Sequence, residues 1–286
     1  MQISAILSDY DGTLSPTVYS KSSNKAEILT MHRNQIDLDR VLWQIAGKRI
    51  IGIVSTKDFN FLHDRTRFAN ILSCLMSIET TVLKHTPLAT CNKKNCVQKS
   101  ILNINSEILS KNYQNLESII NKISKFKNVS IYRKLTYNRN LLGGITIDWR
   151  HLDDWDMTRK SIEQDVIRKI NKINDISEYP MFVQRYSSHP FIDIYSTICS
   201  KGVAYENIAK IIHDSNVNLK NGNILYLGDS ENDNPAFRKA DVSIGVKSDD
   251  RLNPKLDCQY LITFDHLPKF LMSLLKNEFN FSETLL

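Results

Sequence analysis

The chain has 286 residues, 42% of them hydrophobic and 24% charged, with a formal net charge of +6. This is the composition of an ordinary globular protein of one large or two modest domains. It contains no low-complexity segment, no secretory leader and no apolar run near the roughly 20 residues that a membrane-spanning helix needs, so a cytoplasmic protein without a membrane partner is expected. Lysines and arginines are scattered rather than gathered into one run, which suits a small anionic ligand as well as nucleic acid.

The first apolar stretch, 3–8, is closed by Asp9-Tyr10-Asp11-Gly12 and reads as a buried strand running into a tight polar loop. Residues 37–46 have helical apolar spacing, and 49–54 form a second buried strand ending at Ser55-Thr56, which together suggest a parallel βαβ unit. A helix over 57–68 follows. A hairpin is expected within 81–103, with Cys91 and Cys96 facing each other across a polar turn. The five cysteines, odd in number and lacking paired metal-ligand spacing, read as reduced thiols.

The middle of the chain forms a second α/β unit: a helix over 106–126, strands at 129–132 and 144–149, a helix over 157–173, and strands at 181–186 and 191–195. From Gly202 the opening pattern returns, with a helix to about Asp214, a strand at 224–227, an acidic loop from Gly228, a strand at 242–246 and a helix at 267–275. The economical architecture is a Rossmann-like doubly wound parallel sheet built from both ends of the chain (1–82 and 191–286), with an α/β cap inserted over 83–190.

In open parallel sheets ligands bind beyond the carboxyl ends of the strands. Polar residues stand at four such ends: Asp9 and Asp11, Ser55, Lys201 after the 191–195 strand, and Asp229 with Asp233. Carboxylates converging on one point repel unless a cation sits among them. All-oxygen donors suit Mg²⁺, which is commonly shared with a substrate phosphate. Lys201 would then neutralise phosphoryl oxygens and Ser55 donate a hydrogen bond to one, with Thr56 and Asn232 as further phosphate-binding candidates. Asp9 suits nucleophilic attack on phosphorus, and Asp11 suits the acid and base steps around it.

These residues resemble the four motifs of the haloacid dehalogenase-like hydrolase superfamily: Asp9-Tyr10-Asp11-Gly12-Thr13, Ser55, Lys201-Gly202, and Gly228-Asp229-Ser230-Glu231-Asn232-Asp233. The resemblance implies Asp9 as nucleophile, Asp11 as acid/base, Ser55 and Lys201 as phosphate holders, and Mg²⁺ bound by Asp9, Asp11 through its carbonyl, Asp229 and Asp233. The insertion is similar to the α/β cap of the sucrose-phosphate, mannosyl-phosphoglycerate and trehalose-phosphate phosphatases and of phosphomannomutases. A phosphorylated sugar or sugar-containing osmolyte is the implied substrate, with a phosphosugar mutase or a non-catalytic anion- or nucleic-acid-binding protein as alternatives.

Two departures stand out. Ser55-Thr56-Lys57 lacks the usual glycine and arginine after the serine, and Glu79-Thr80-Thr81 replaces an expected Asn-Gly turn. In the cap, Lys134, Arg150, Arg185 and His189 are candidates for contacting the substrate, and Trp149 for stacking on a sugar ring. No nucleic-acid partner is expected.

Overall fold

The computed structural model describes residues 1–15, 25–84, 96–137, 140–152, 155–186, 190–214, 222–247 and 254–286. Two sheets organise them. The larger is built on β1 (Ile3–Ser8), whose six residues are all buried, as expected for a strand covered by helices on both faces. Its parallel neighbours are β10 (Asn223–Gly228) and β2 (Ile50–Val54), and parallel pairing continues outward through β11 (Val242–Lys247) to β12 (Tyr260–Thr263) and through β2 to β3 (Ile71–Cys74). Two antiparallel strands, β4 (Glu79–Leu83) and β5 (Val97–Leu102), extend the far side, giving the order β12-β11-β10-β1-β2-β3-β4-β5.

β1 feeds two cores, its alternation interrupted by a register shift between Ile3 and Ala5. Ile3 and Ile6 join a cluster that includes Leu38, Val41 and Ile45 of α1 (Lys25–Ala46) and Phe270, Leu271 and Leu274 of α7 (Leu267–Lys276). Ala5 and Leu7 join the opposite cluster, with Ala204, Ile208 and Ile212 of α5 (Lys201–Asp214) and Phe237 of the short α6 (Asn234–Phe237). Helices therefore cover both faces, so every loop at the carboxyl edge opens toward one end of the sheet. α2 (Phe59–Arg65) is shorter than the 57–68 helix expected, because Asp58 caps its start by accepting from Phe61 N and the chain leaves helical geometry at Thr66.

The cap is a four-stranded antiparallel sheet in the order β6-β7-β9-β8, formed by β6 (Ser130–Leu135), β7 (Leu142–Asp148), β8 (Phe182–Arg185) and β9 (Phe191–Tyr195). Its helices are α3 (Ser106–Ile123) and α4 (Trp155–Asn174). Leu116, Ile119 and Ile123 of α3 pack with Val166 and Ile170 of α4 on Ile145, Ile147, Ile192 and Ile194 of the sheet. Asn105 caps α3 by accepting from Glu107 N.

Sheet membership shifts both ends of the insertion from the 83–190 expected. β5 pairs with β4 in the large sheet, whereas β9 pairs on both sides within the cap. A central cap strand is buried on both faces and so has the same apolar signature as a strand of the main sheet. Lys201 accordingly opens α5 after the chain returns from the cap, rather than following a strand of the main sheet.

The expectation of five reduced thiols is also corrected: Cys96 is disulfide-bonded, while Cys74, Cys199 and Cys258 are free. Cys91 lies outside the described residues. Among the described residues, no helix is long and apolar enough to cross a membrane.

Candidate active site

Asp9 extends β1 by one residue, its N–H donating to Leu227 O at 2.9 Å and its carbonyl accepting from Ser8 Oγ at 2.6 Å. The chain then turns back on itself, with Leu14 N and Ser15 N both donating to Tyr10 O. Gly12 makes this possible. Its φ of +83° lies in the left-handed region, and a Cβ there would stand 2.0 Å from Asp229 Oδ2. Thr13 Oγ1 donates to Asp229 Oδ1 at 3.0 Å, so the first loop positions the acid of the fourth.

Lys201 is the electrostatic centre of this end. Its Nζ lies 2.7 Å from Asp9 Oδ2 and 2.7 Å from Asp233 Oδ1, and it is buried with both. Burial alone would lower the lysine's pKa, but the two carboxylates override it and hold the ammonium above its ordinary value. Asp233 is fully satisfied: Tyr226 OH donates to Oδ1 at 2.7 Å, and Ser230 N and Oγ donate to Oδ2 at 3.1 and 3.0 Å. Gly228 leaves room for that carboxylate, since a Cβ would lie 2.4 Å from Asp233 Cγ.

Three carboxylates, from Asp9, Asp229 and Asp233, each bring an oxygen within 4.8 Å of the others. Burial raises Asp9 to about 7, with Lys201 pulling it down and Asp233 and Asp11 pushing it up. Burial, Asp9 and Asp233 together push Asp229 well above the usual carboxylate range. Lys201 balances part of this negative charge, and among the described residues its ion pairs are with Asp9 and Asp233. A set of hard oxygen donors in electrostatic deficit fits a hard divalent cation. Asp11 stands apart from these three. Its carboxylate is 43% exposed and lies 3.6 Å from Lys57 Nζ.

Ser55 is buried at the end of β2, where its Oγ accepts from Lys57 N at 3.2 Å. Its carbonyl accepts from Met76 N, and Lys57 O accepts from Leu75 N, tying this loop to the one after β3. The positive-φ turn lies just before Glu79-Thr80-Thr81, at Leu75, Met76 and Ser77, with φ of +54°, +57° and +99°. Glu79 and its neighbours are regular β4, and Asn103 Nδ2 braces the turn by donating to Ser77 O and Thr80 Oγ1.

The cap brings a second polar cluster against this edge. Lys134 Nζ lies 2.7 Å from Asp193 Oδ1 and 3.1 Å from Tyr195 OH. Thr146 Oγ1 also donates to Asp193, as does Tyr186 OH at 2.7 Å. Two contacts cross to the predicted phosphate-binding residues: Tyr195 OH reaches Thr56 O at 3.5 Å, and the Asn232 amide donates to the Tyr186 phenol. Farther out, Tyr137 N donates to Glu79 Oε2 at 2.8 Å.

Of the cap candidates, Lys134 thus belongs to this cluster, whereas Arg150 and Arg185 are more than half exposed and pair within the cap with Asp148 and Glu163. Trp149 is buried in the cap core, which removes it as a stacking platform. His189 lies outside the described residues. Reading the sequence for sites missed Tyr186, Asp193 and Tyr195. An acid between two isoleucines in an apolar strand, Ile192-Asp193-Ile194, is the signal that would have found the second of them.

A family model described as haloacid dehalogenase-like hydrolase matches residues 77–258, a span that holds Lys201, Asp229 and Asp233. No curated protein matches the chain. Among solved structures, the C-terminal domain of the trehalose-6-phosphate phosphatase of C. albicans is similar with a TM-score of 0.64 at 18% identity, covering 96% of this chain and 92% of that one. A trehalose-6-phosphate phosphatase related protein gives 0.61 at 16% identity, over 96% and 98%. A haloacid dehalogenase subclass IIB sugar phosphatase gives 0.50 at 12%, over 96% and 99%. At these identities the likeness is one of fold.

Proposed function

The chain belongs to the haloacid dehalogenase-like hydrolase family, and we propose that within it this protein is an Mg²⁺-dependent phosphatase that hydrolyses a sugar-phosphate monoester through an aspartyl-phosphate at Asp9. The observation that carries this reading is Lys201 Nζ held 2.7 Å from Asp9 Oδ2, within a group of three carboxylates of which Asp9 and Asp233 are buried. An ammonium so placed keeps Asp9 oriented and meets the negative charge of an arriving phosphoryl group.

In this reading a carboxylate oxygen of Asp9 forms a bond to phosphorus as the ester P–O bond breaks. Asp11 gives its proton to the departing alkoxide and then takes one from the water that cleaves the acyl phosphate. Its exposure beside Lys57 leaves it in contact with solvent, as a group that must exchange protons requires. Ser55, Thr56, Lys201 and Asn232 hold the phosphoryl oxygens. Asp9 and Asp229, supported by Asp233 and the Asp11 carbonyl, are the residues that would hold Mg²⁺, whose charge would compensate both the carboxylates and the phosphate.

The sugar class is supported by the cap, where the Lys134 ammonium, the Asp193 carboxylate and the Tyr195 phenol are gathered, a donor and acceptor set suited to hydroxyl groups. Similarity in fold to sugar phosphatases adds to it. The test is phosphate release from a panel of sugar phosphates with and without Mg²⁺, with product sugars analysed for isomers. Metal-dependent phosphate release without isomerisation is expected. Turnover that survives chelation, or a product that is only an isomerised phosphate, would sink the reading.

A further inference from the structure

Tyr186, like Tyr195, has partners on both sides of the cleft. Tyr186 follows β8, donates its hydroxyl to Asp193 Oδ2 at 2.7 Å and accepts from the amide of Asn232, which lies in the loop carrying Asp229 and Asp233. Its ring packs on Phe191 with centroids 4.7 Å apart, which fixes the direction of the phenol. Asp193 is itself immobilised, buried and held by Lys134 and Thr146. An in-line displacement at phosphorus sends the leaving oxygen to the side opposite the attacking one. With Asp9 attacking from the sheet edge, the alcohol departs toward the cap, where Tyr186 stands between Asn232 and Asp193.

We propose that Tyr186 is a specificity-determining gate: it occupies the space the leaving alcohol enters, and a substrate hydroxyl replaces its phenol on Asp193. The side chain then sets the bulk of alcohol that is accepted. The gate rests on the phosphatase reading above, and it adds a residue that none of the four motifs contains.

Kinetics of Tyr186→Phe and Tyr186→Ala test it, using p-nitrophenyl phosphate, a hexose phosphate and a disaccharide phosphate, with thermal melting to check folding. Tyr186→Ala should raise the ratio of kcat/KM for the disaccharide phosphate over p-nitrophenyl phosphate by about tenfold or more, through KM. Tyr186→Phe, which keeps the ring, should lower KM for the hexose phosphate several-fold because the Asp193 acceptor is freed. A purely structural tyrosine would change all three substrates together and leave the ratio at its wild-type value, which overturns the gate. A rise in hexose phosphate KM in Tyr186→Phe also overturns it, by making the hydroxyl a ligand instead. Should the alanine variant fail to fold, the phenylalanine variant decides alone. If the wild type shows no Asp9-dependent hydrolysis of any ester, the phosphatase reading falls and takes the gate with it. Hydrolysis with an unchanged ratio removes the gate only.

Discussion

Each domain buries one lysine at the cleft, and the two are held differently. Lys201 of the main domain sits between two carboxylates, Asp9 and Asp233, and its charge is secured above the ordinary lysine range. Lys134 of the cap has one carboxylate, Asp193, and burial pulls it below that range, with nearby Lys57 adding to the effect. Asp193 gains more than its partner: although burial opposes it, Lys134, Thr146 and Tyr186 together hold it below its ordinary value. A lysine shared by two buried carboxylates cannot be altered without stranding both, so the main domain's site is electrostatically fixed. The cap's lysine can change at the expense of a single partner, which other donors also hold. The contrast assigns constancy of chemistry to one domain and adjustability of recognition to the other.

The largest effect should come from Asp9→Asn, expected to lower kcat by a thousandfold or more, on the order seen when a nucleophile is removed. Retained turnover in a phosphate-release assay would place the chemistry elsewhere. Next comes Lys201→Met, which leaves Asp9 and Asp233 buried without their cation and should destabilise folding by about 3–5 kcal/mol in urea titration. Lys134→Met should cost less, about 2 kcal/mol, because Asp193 keeps hydroxyl donors from Thr146, Tyr186 and Tyr195. Equal losses in the two methionine variants would erase the contrast between the domains.

The smallest effect concerns acid. A carboxyl held below its unfolded value stabilises the fold above the unfolded pKa, and that contribution is lost as pH falls through the folded one. For Asp193 the loss therefore begins below about pH 4. The melting-temperature gap between wild type and Asp193→Asn should be constant from pH 7 to 5 and narrow toward pH 3. A gap that widens on acidification would mean that the Asp193 carboxyl is not favoured in its charged form.

Legibility in the sequence was uneven. The central strands of the main sheet, β1, β2, β10 and β11, could be read because each is mainly apolar, a local property, and the acids and serine after them stood out against that background, whereas β3 and β12 were not among the expected elements. Cap elements were readable as helices and strands but not as members of a particular sheet: Phe191–Tyr195 carries no mark that distinguishes pairing with β7 and β8 from pairing within the main domain. Charge alone marks the cap arginines in the sequence, and charge does not tell whether Glu163 or a ligand will be the partner of Arg185. Trp149 is ambiguous in the sequence for a related reason, since an aromatic at a strand end looks the same whichever face is buried.

The opening strand, the turn at Asp9 and the periodic helices were determined by the sequence itself, because apolar periodicity and turn chemistry act over a few residues. Tertiary structure decided that Lys201 grips Asp233 as well as Asp9, that Asp11 faces Lys57 apart from the other acids, and that Tyr186 spans from Asp193 to Asn232. Those pairings join segments far apart in the chain, and their partners are selected by strand register and by the seating of the cap on the sheet edge, which no local pattern encodes.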